Sequence, residues 1–144
     1  MKKIATIRTK FDLLGKYKQS DKYRNFLGKH KREWEKILIG ATIDEIQGAL
    51  FEYGGKVKVD IKKSREGCWR ICAYILVVTN QMVNGLYEII KGKEEDICEI
   101  FAEKLNEKAK ELLDKPSADE IIEVIDFEIT PDGNNDEECE EELK

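Results

Sequence analysis

A chain of 144 residues, 41% hydrophobic and 38% charged, has enough apolar material for one domain with a single core, and its charge excess over the usual quarter or so calls for thin amphipathic elements. Its longest apolar stretch, Ile71 to Val78, falls far short of the ~20 residues of a membrane helix, and MKKIATIRTKF lacks a signal-peptide core, so a cytoplasmic protein without a membrane partner is expected. The net charge of −5 conceals a dipole: residues 1–72 carry 18 Lys and Arg against 9 Asp and Glu, residues 73–144 carry 7 against 21, and a basic half concentrates anionic ligands while an acidic half repels or imitates them.

Residues 2–9, KKIATIRT, read as a first strand. From Ser20, the residues Tyr23, Phe26, Leu27, His30, Trp34, Ile37 and Leu38 recur at helical spacing and predict one amphipathic helix over 20–38. Thr42-Ile43-Asp44-Glu45 has the form of a capping box and predicts a second helix, burying Ile43, Ile46, Leu50 and Tyr53 and stopping at Gly54-Gly55. KVKVDIKK alternates like a strand with one buried face, and WRICAYILVV is apolar on both faces like a central strand. LYEIIKG then completes a three-strand meander, about 56–91. Residues 93–115 predict a helix with Ile97, Phe101, Leu105, Ala109 and Leu112 on one face, ended by Pro116. Ser117–Glu120 caps one more turn, and Ile125, Phe127 and Ile129 alternate as the last strand. The result is an α+β domain over 1–130, order β-α-α-β-β-β-α-β, with two or three helices on a mostly antiparallel sheet. A ferredoxin-like β-α-β-β-α-β follows instead if LYEIIKG is not a strand. Residues 131–144 form an acidic C-terminal tail with seven carboxylates.

Spacing decides what the four cysteines do. Cys68 and Cys72 on a strand stand about 13 Å apart at ~3.3 Å per residue, too far for a disulfide or a shared zinc. Cys98 falls on an apolar helical stripe, and Cys139 among glutamates is a poor nucleophile. Four separate reduced thiols, and no metal or cofactor, are expected.

On a helix over 20–38, Lys18, Lys22, Asn25, Lys29, Arg32 and Lys36 share one outward stripe, about 27 Å long at ~1.5 Å per residue. Such a row tracks nucleic-acid phosphates, and Arg24, Lys31 and the strand lysines Lys56, Lys58, Lys62 and Lys63 widen it. Tyr17 and Tyr23 interleave the cations as base-stacking groups do, although the spacing of Tyr23 assigns it to the core. The expected function is a non-catalytic nucleic-acid-binding module modulated by the acidic tail folding back on that stripe. The competing class is a protein-interaction or inhibitor module, a nucleic-acid mimic of the kind carried by phages and mobile elements. It would engage a basic nucleic-acid-handling protein through Glu99, Glu103, Glu107 and Glu111 on the helix over 93–115.

An enzyme is not expected. His30, the one histidine, lies on an apolar face with no nucleophile beside it. Asp60-Ile61-Lys62, with Glu45 or Glu52 on the preceding helix, has D-x-K spacing, and the order α-β-β-β-α-β over 43–129 resembles in topology the core of the PD-(D/E)xK nucleases. That family carries the tripeptide on a later strand, where this chain has only Glu88 and Lys91.

Overall fold

A computed structural model describes residues 2–52, 54–63, 70–81, 84–117 and 119–131. Four strands, Lys2–Leu13 (β1), Lys56–Lys63 (β2), Arg70–Thr79 (β3) and Ile122–Thr130 (β4), form one antiparallel sheet in the order β2-β3-β1-β4. Between β1 and β2 run Gly15–Lys18 (α1), a 3-10 turn at Asp21–Tyr23, Phe26–Lys29 (α2) and Lys31–Glu52 (α3); between β3 and β4 run Leu86–Lys91 (α4) and Glu94–Leu112 (α5). With each helical connection counted once, this is the β-α-β-β-α-β order with the strand arrangement of a ferredoxin-like fold. The α+β class with an antiparallel sheet is therefore present, in the form of the competitor and not of the meander. No helix of the described residues is long and apolar enough to cross a membrane.

LYEIIKG is a helix because its apolar residues satisfy a period of four. Leu86 and Ile90 are buried while Ile89 is 53% exposed, and Gly85, at φ 84°, lets the chain turn into the helix. The helix over 20–38 is broken into pieces. Ser20 accepts a hydrogen bond from the Lys22 amide at the 3-10 turn, and His30 leaves helical geometry at φ −107°, ψ 31°. The Leu27 carbonyl, which an uninterrupted helix would offer to the Lys31 amide, instead accepts the Trp34 indole N–H at 2.7 Å. Tyr23, Phe26, Leu27 and Trp34 still reach one core, so the apolar spacing was satisfied by short segments as well as by one helix.

Thr42 begins no helix. It lies inside α3, where its hydroxyl donates to the Leu38 carbonyl at 2.7 Å, and the local departure from helical geometry comes later, at Ile46. The expected stop is observed, with α3 ending at Glu52 and Gly54 at φ 62°. Leu50 and Tyr53 lie outside the described side chains.

Helices α3 and α5 pack together over one face of the sheet. The core-facing residues are Ala5, Ile7, Phe11 and Leu13 of β1 and Ile71, Ala73, Ile75 and Val77 of β3, with Ile61, Ile122 and Ile129 from the outer strands. Trp34 anchors the centre, edge-on to Phe26 at 5.7 Å and to Phe11 at 6.3 Å between ring centroids. The register of β1 on β4 shifts between Lys10 and Phe11, paired with Asp126 and Val124, which displaces Ile125. Ile125 is consequently 44% exposed rather than in the core, while Val124 and Phe127 both pack inward.

Side chains occupy the free rim of β4. The Ile129 amide donates to Glu94 Oε2 at 3.0 Å, and its carbonyl accepts from Lys91 Nζ at 2.9 Å and from the Tyr87 hydroxyl at 3.2 Å. Lys91 and Glu94 also pair at 2.6 Å. Burial pushes the Glu94 carboxyl up, but the bonds from Lys91 and Ile129 outweigh it and leave its pKa below 4.5. Its contribution is therefore complete above pH 4.5 and lost as pH falls through the lower folded value. Glu94→Gln should cost about 1 kcal/mol at pH 7, discounted for partial exposure, with the difference shrinking toward pH 3. Urea denaturation at the two pH values measures this, and an equal deficit at both would contradict the assignment.

Candidate nucleic-acid interface

The topology gathers basic residues at one end of the sheet. Strand β1 finishes there, β2 finishes at Lys63 opposite Ile71, and Lys62 pairs with Cys72, which pairs with Lys10. The chain leaves β1 at this end into α1, the 3-10 turn and α2, so Lys16, Lys22, Arg24, Lys29, Lys31 and Arg32 all belong to the same connection and all are exposed. Lys22, Lys29, Arg32 and Lys36 make no ion pair among the described residues. A shallow groove between this connection and the end of α5 is lined by Lys22, Asn25, Lys29 and His30 together with Tyr23, Phe26, Leu112 and Leu113.

The expected 27 Å helical row does not exist, because three breaks separate Lys18 from Lys36. Lys18 is also committed elsewhere, pairing at 2.9 Å with Asp12, which is 2% exposed. Lys22 and Lys29 follow the bend of the connection, and Arg32 and Lys36 continue onto α3. Tyr23 is buried, edge-on to Tyr17 at 5.5 Å, with Lys22 Nζ 5.5 Å from its ring centre. It is a core residue and offers no open ring face. His30 is half-buried against Phe26 at 5.1 Å between ring centroids, with Glu33 3.9 Å away.

Lys58 and Lys62 lie on the sheet face opposite the helices, where strand alternation also places Arg8, Lys10 and Tyr74. Lys62 Nζ stands 5.4 Å and Arg8 Cζ 6.0 Å from the Tyr74 ring centre, cations on an aromatic. Sequence reasoning missed Arg8, Lys10 and Tyr74 as part of a surface, although the alternation Thr6, Arg8, Lys10, Asp12 in β1 was available to it. In register across β1 and β4, Arg8 stands opposite Glu128 and Lys10 opposite Asp126.

Asp12 closes this face at the basic end. Burial raises its carboxyl above 3.8, against the opposing hydrogen bonds from Lys18 and from the Leu13 amide at 2.7 Å and the charge of Arg70. A raised folded pKa means that the native state holds the proton longer, so this group's contribution to stability falls as pH rises from 3.8 through the folded value. Asp12→Asn should remove that decline, so that the variant gains on the parent between pH 3.5 and pH 7 in urea denaturation. A variant that loses ground over the same interval would show that the Lys18 pair dominates.

The second charged surface lies on α5. Glu99, Glu103, Glu107 and Glu111 are all exposed, but Glu107 pairs with Lys104 at 3.8 Å and Glu111 with Lys108 at 3.3 Å. Glu99 and Glu103 share a shallow groove with Asp119, Glu120 and Lys110.

The nuclease resemblance falls with the third strand, since residues 86–91 are helical. Asp60 sits exposed on β2, and Lys91 is held by Glu94 and the Ile129 carbonyl. Among the described residues no three His, Cys, Asp or Glu side chains cluster as a metal requires. Cys72 is buried beside Tyr74, and Cys98 is a half-buried free thiol whose pKa is raised by burial and by Glu94 and Glu99. Cys68 and Cys139 lie outside the described residues.

No protein-family model, curated protein or solved structure matches this chain.

Proposed function

We propose that this protein is a non-catalytic nucleic-acid-binding module that engages the phosphate backbone through the basic connection after β1. The observation that carries the reading is the gathering of Lys22, Lys29, Arg32 and Lys36, exposed and without ion-pair partners among the described residues, around one end of the sheet. Uncommitted ammonium and guanidinium groups release condensed counterions from phosphates without first breaking internal pairs. Lys62 lies at the same end and Lys58 farther along β2, so both can extend the contact onto the sheet face. Lys18 contributes through Asp12 and not as a free cation. Fluorescence anisotropy with labelled single- and double-stranded DNA and RNA tests this at low and physiological salt. Binding that weakens steeply with salt supports the module; no binding at low salt overturns it.

One observation favours a second reading, a partner protein with a basic surface. Glu99 and Glu103 adjoin Asp119 and Glu120 in one groove and make no ion pair among the described residues. Capture of a basic nucleic-acid-handling protein that is lost on Glu99→Gln with Glu103→Gln would support it.

A further inference from the structure

The breaks that divide the helix over 20–38 also build the groove at the end of α5. Asn25 precedes α2 at φ −105°, ψ 10°, away from the extended geometry of a capping residue, and its side chain makes no bond to the helix start. Its amide is exposed and without a hydrogen bond among the described residues, a donor and an acceptor on one flat group. Helical geometry is lost again at His30, whose half-buried ring stands edge-on to Phe26 at 5.1 Å and to Trp34 at 6.4 Å between ring centroids. On the opposite wall Asp114, at φ 53°, turns the chain. Its amide donates to the Glu111 carbonyl at 3.2 Å, and the Lys115 amide donates to the Lys110 carbonyl at 2.8 Å. Helix α5 therefore stops at Leu112 and leaves Leu112 and Leu113 half-buried in the groove wall.

What this lining accepts and refuses identifies the occupant. The groove measures about 390 Å³, within the range of small-ligand clefts. The two leucines and the nearly buried rings of Tyr23 and Phe26 give it an apolar floor, and Asp21 adds a carboxylate, so a phosphate is refused inside. Lys22 and Lys29 share the lining, exposed and without ion pairs among the described residues, and draw phosphates to its margin. A ligand with apolar faces, a hydrogen-bonding edge and anions on either side is a nucleobase within a single strand. In a duplex the same base is stacked and paired, and only its phosphates reach the lysines. We propose that the groove receives one unstacked base of a single-stranded nucleic acid, with the Asn25 amide on the base edge, Leu112 and Leu113 against its face, and Lys22 and Lys29 on the flanking phosphates. This rests on the nucleic-acid reading and names its substrate class, since single strands are then preferred to duplex.

Fluorescence anisotropy of the full chain, including residues 132–144, which lie outside the described residues, tests the assignment with three labelled ligands of about 16 nucleotides. They are a mixed-sequence single strand, the same backbone with every base replaced by an abasic spacer, and the strand paired with its complement. The intact strand should bind roughly tenfold tighter than the abasic one, at the same salt slope because the two carry equal charge, and tighter than the duplex. Asn25→Ala should lower the intact-to-abasic ratio about fivefold and leave the salt slope and circular dichroism unchanged. Equal affinity for intact and abasic strands with salt-sensitive binding retained, a preference for duplex, or a ratio undiminished by Asn25→Ala would each overturn the groove assignment while phosphate binding stands. Absence of binding by all three ligands at low salt would instead remove the nucleic-acid reading itself.

Discussion

Asn106→Ala should destabilise the domain by about 3–5 kcal/mol, a large share of the roughly 5–15 kcal/mol that holds a domain of this kind together. Asn106 is 7% exposed on α5, and every polar direction of its amide is used. Its oxygen accepts the Ile121 and Ile122 amides at 2.7 and 2.9 Å, and its nitrogen donates to the Ile122 and Ala102 carbonyls, both at 2.9 Å. Ile121 and Ile122 are buried, so truncation strands two amides and a carbonyl where β4 begins. Asn106→Asp keeps both acceptor bonds but turns the donor into a buried carboxylate facing carbonyls. It should therefore recover stability as pH falls and the acid protonates, whereas Asn106→Ala should not. Urea denaturation across pH checks both. A loss below about 1 kcal/mol for the alanine variant would show that water replaces the amide.

The triple reversal Lys22→Glu, Lys29→Glu, Arg32→Glu should abolish nucleic-acid binding at physiological salt. Each lost phosphate contact lowers the slope of log K against log salt by about 0.7 on single strands and 0.9 on duplex, so the residual slope at low salt should fall by about 2–3. The three side chains are exposed and unpaired among the described residues, so circular dichroism and thermal stability should stay near those of the parent. Intact binding after this change would remove the connection as the site and leave the sheet face to account for affinity. An unaltered slope with weaker binding would point to lost shape instead of lost phosphate contacts.

Much of the fold was legible because strands and the long helix carry strong periods. The both-face apolar run of β3, the alternation of β2 and the stripe of α5 each have one physical solution. The first strand was underestimated since seven of its twelve residues are Lys, Arg, Thr or Asp. Its central position follows from pairing on both sides, which no local pattern reveals. Apolar spacing alone could not separate one helix over 20–38 from a 3-10 turn, a short helix and the start of α3, because the break depends on the indole of Trp34 taking the Leu27 carbonyl. LYEIIKG is short enough for periods of two and four to compete, and the choice rests on contacts with Ile129, some 40 residues away. The basic residues of the candidate site were visible as composition. Their arrangement was not, because Asp12 withdraws Lys18 and the register alone unites Lys62 with Arg8 and Tyr74.

The two rims of the sheet differ in kind. At Ile129 the β4 rim is occupied on both its donor and its acceptor, so an incoming strand would have to evict Lys91, Glu94 and Tyr87 before it could pair. The β2 rim is defended by repulsion, through Lys56, Lys58 and Lys62. Repulsion discriminates where occupation does not. A strand of like charge is turned away, whereas an acidic extended segment meets complementary charge and a backbone ladder together. Any growth of this sheet by a foreign chain is thereby restricted to one rim and one sign of charge.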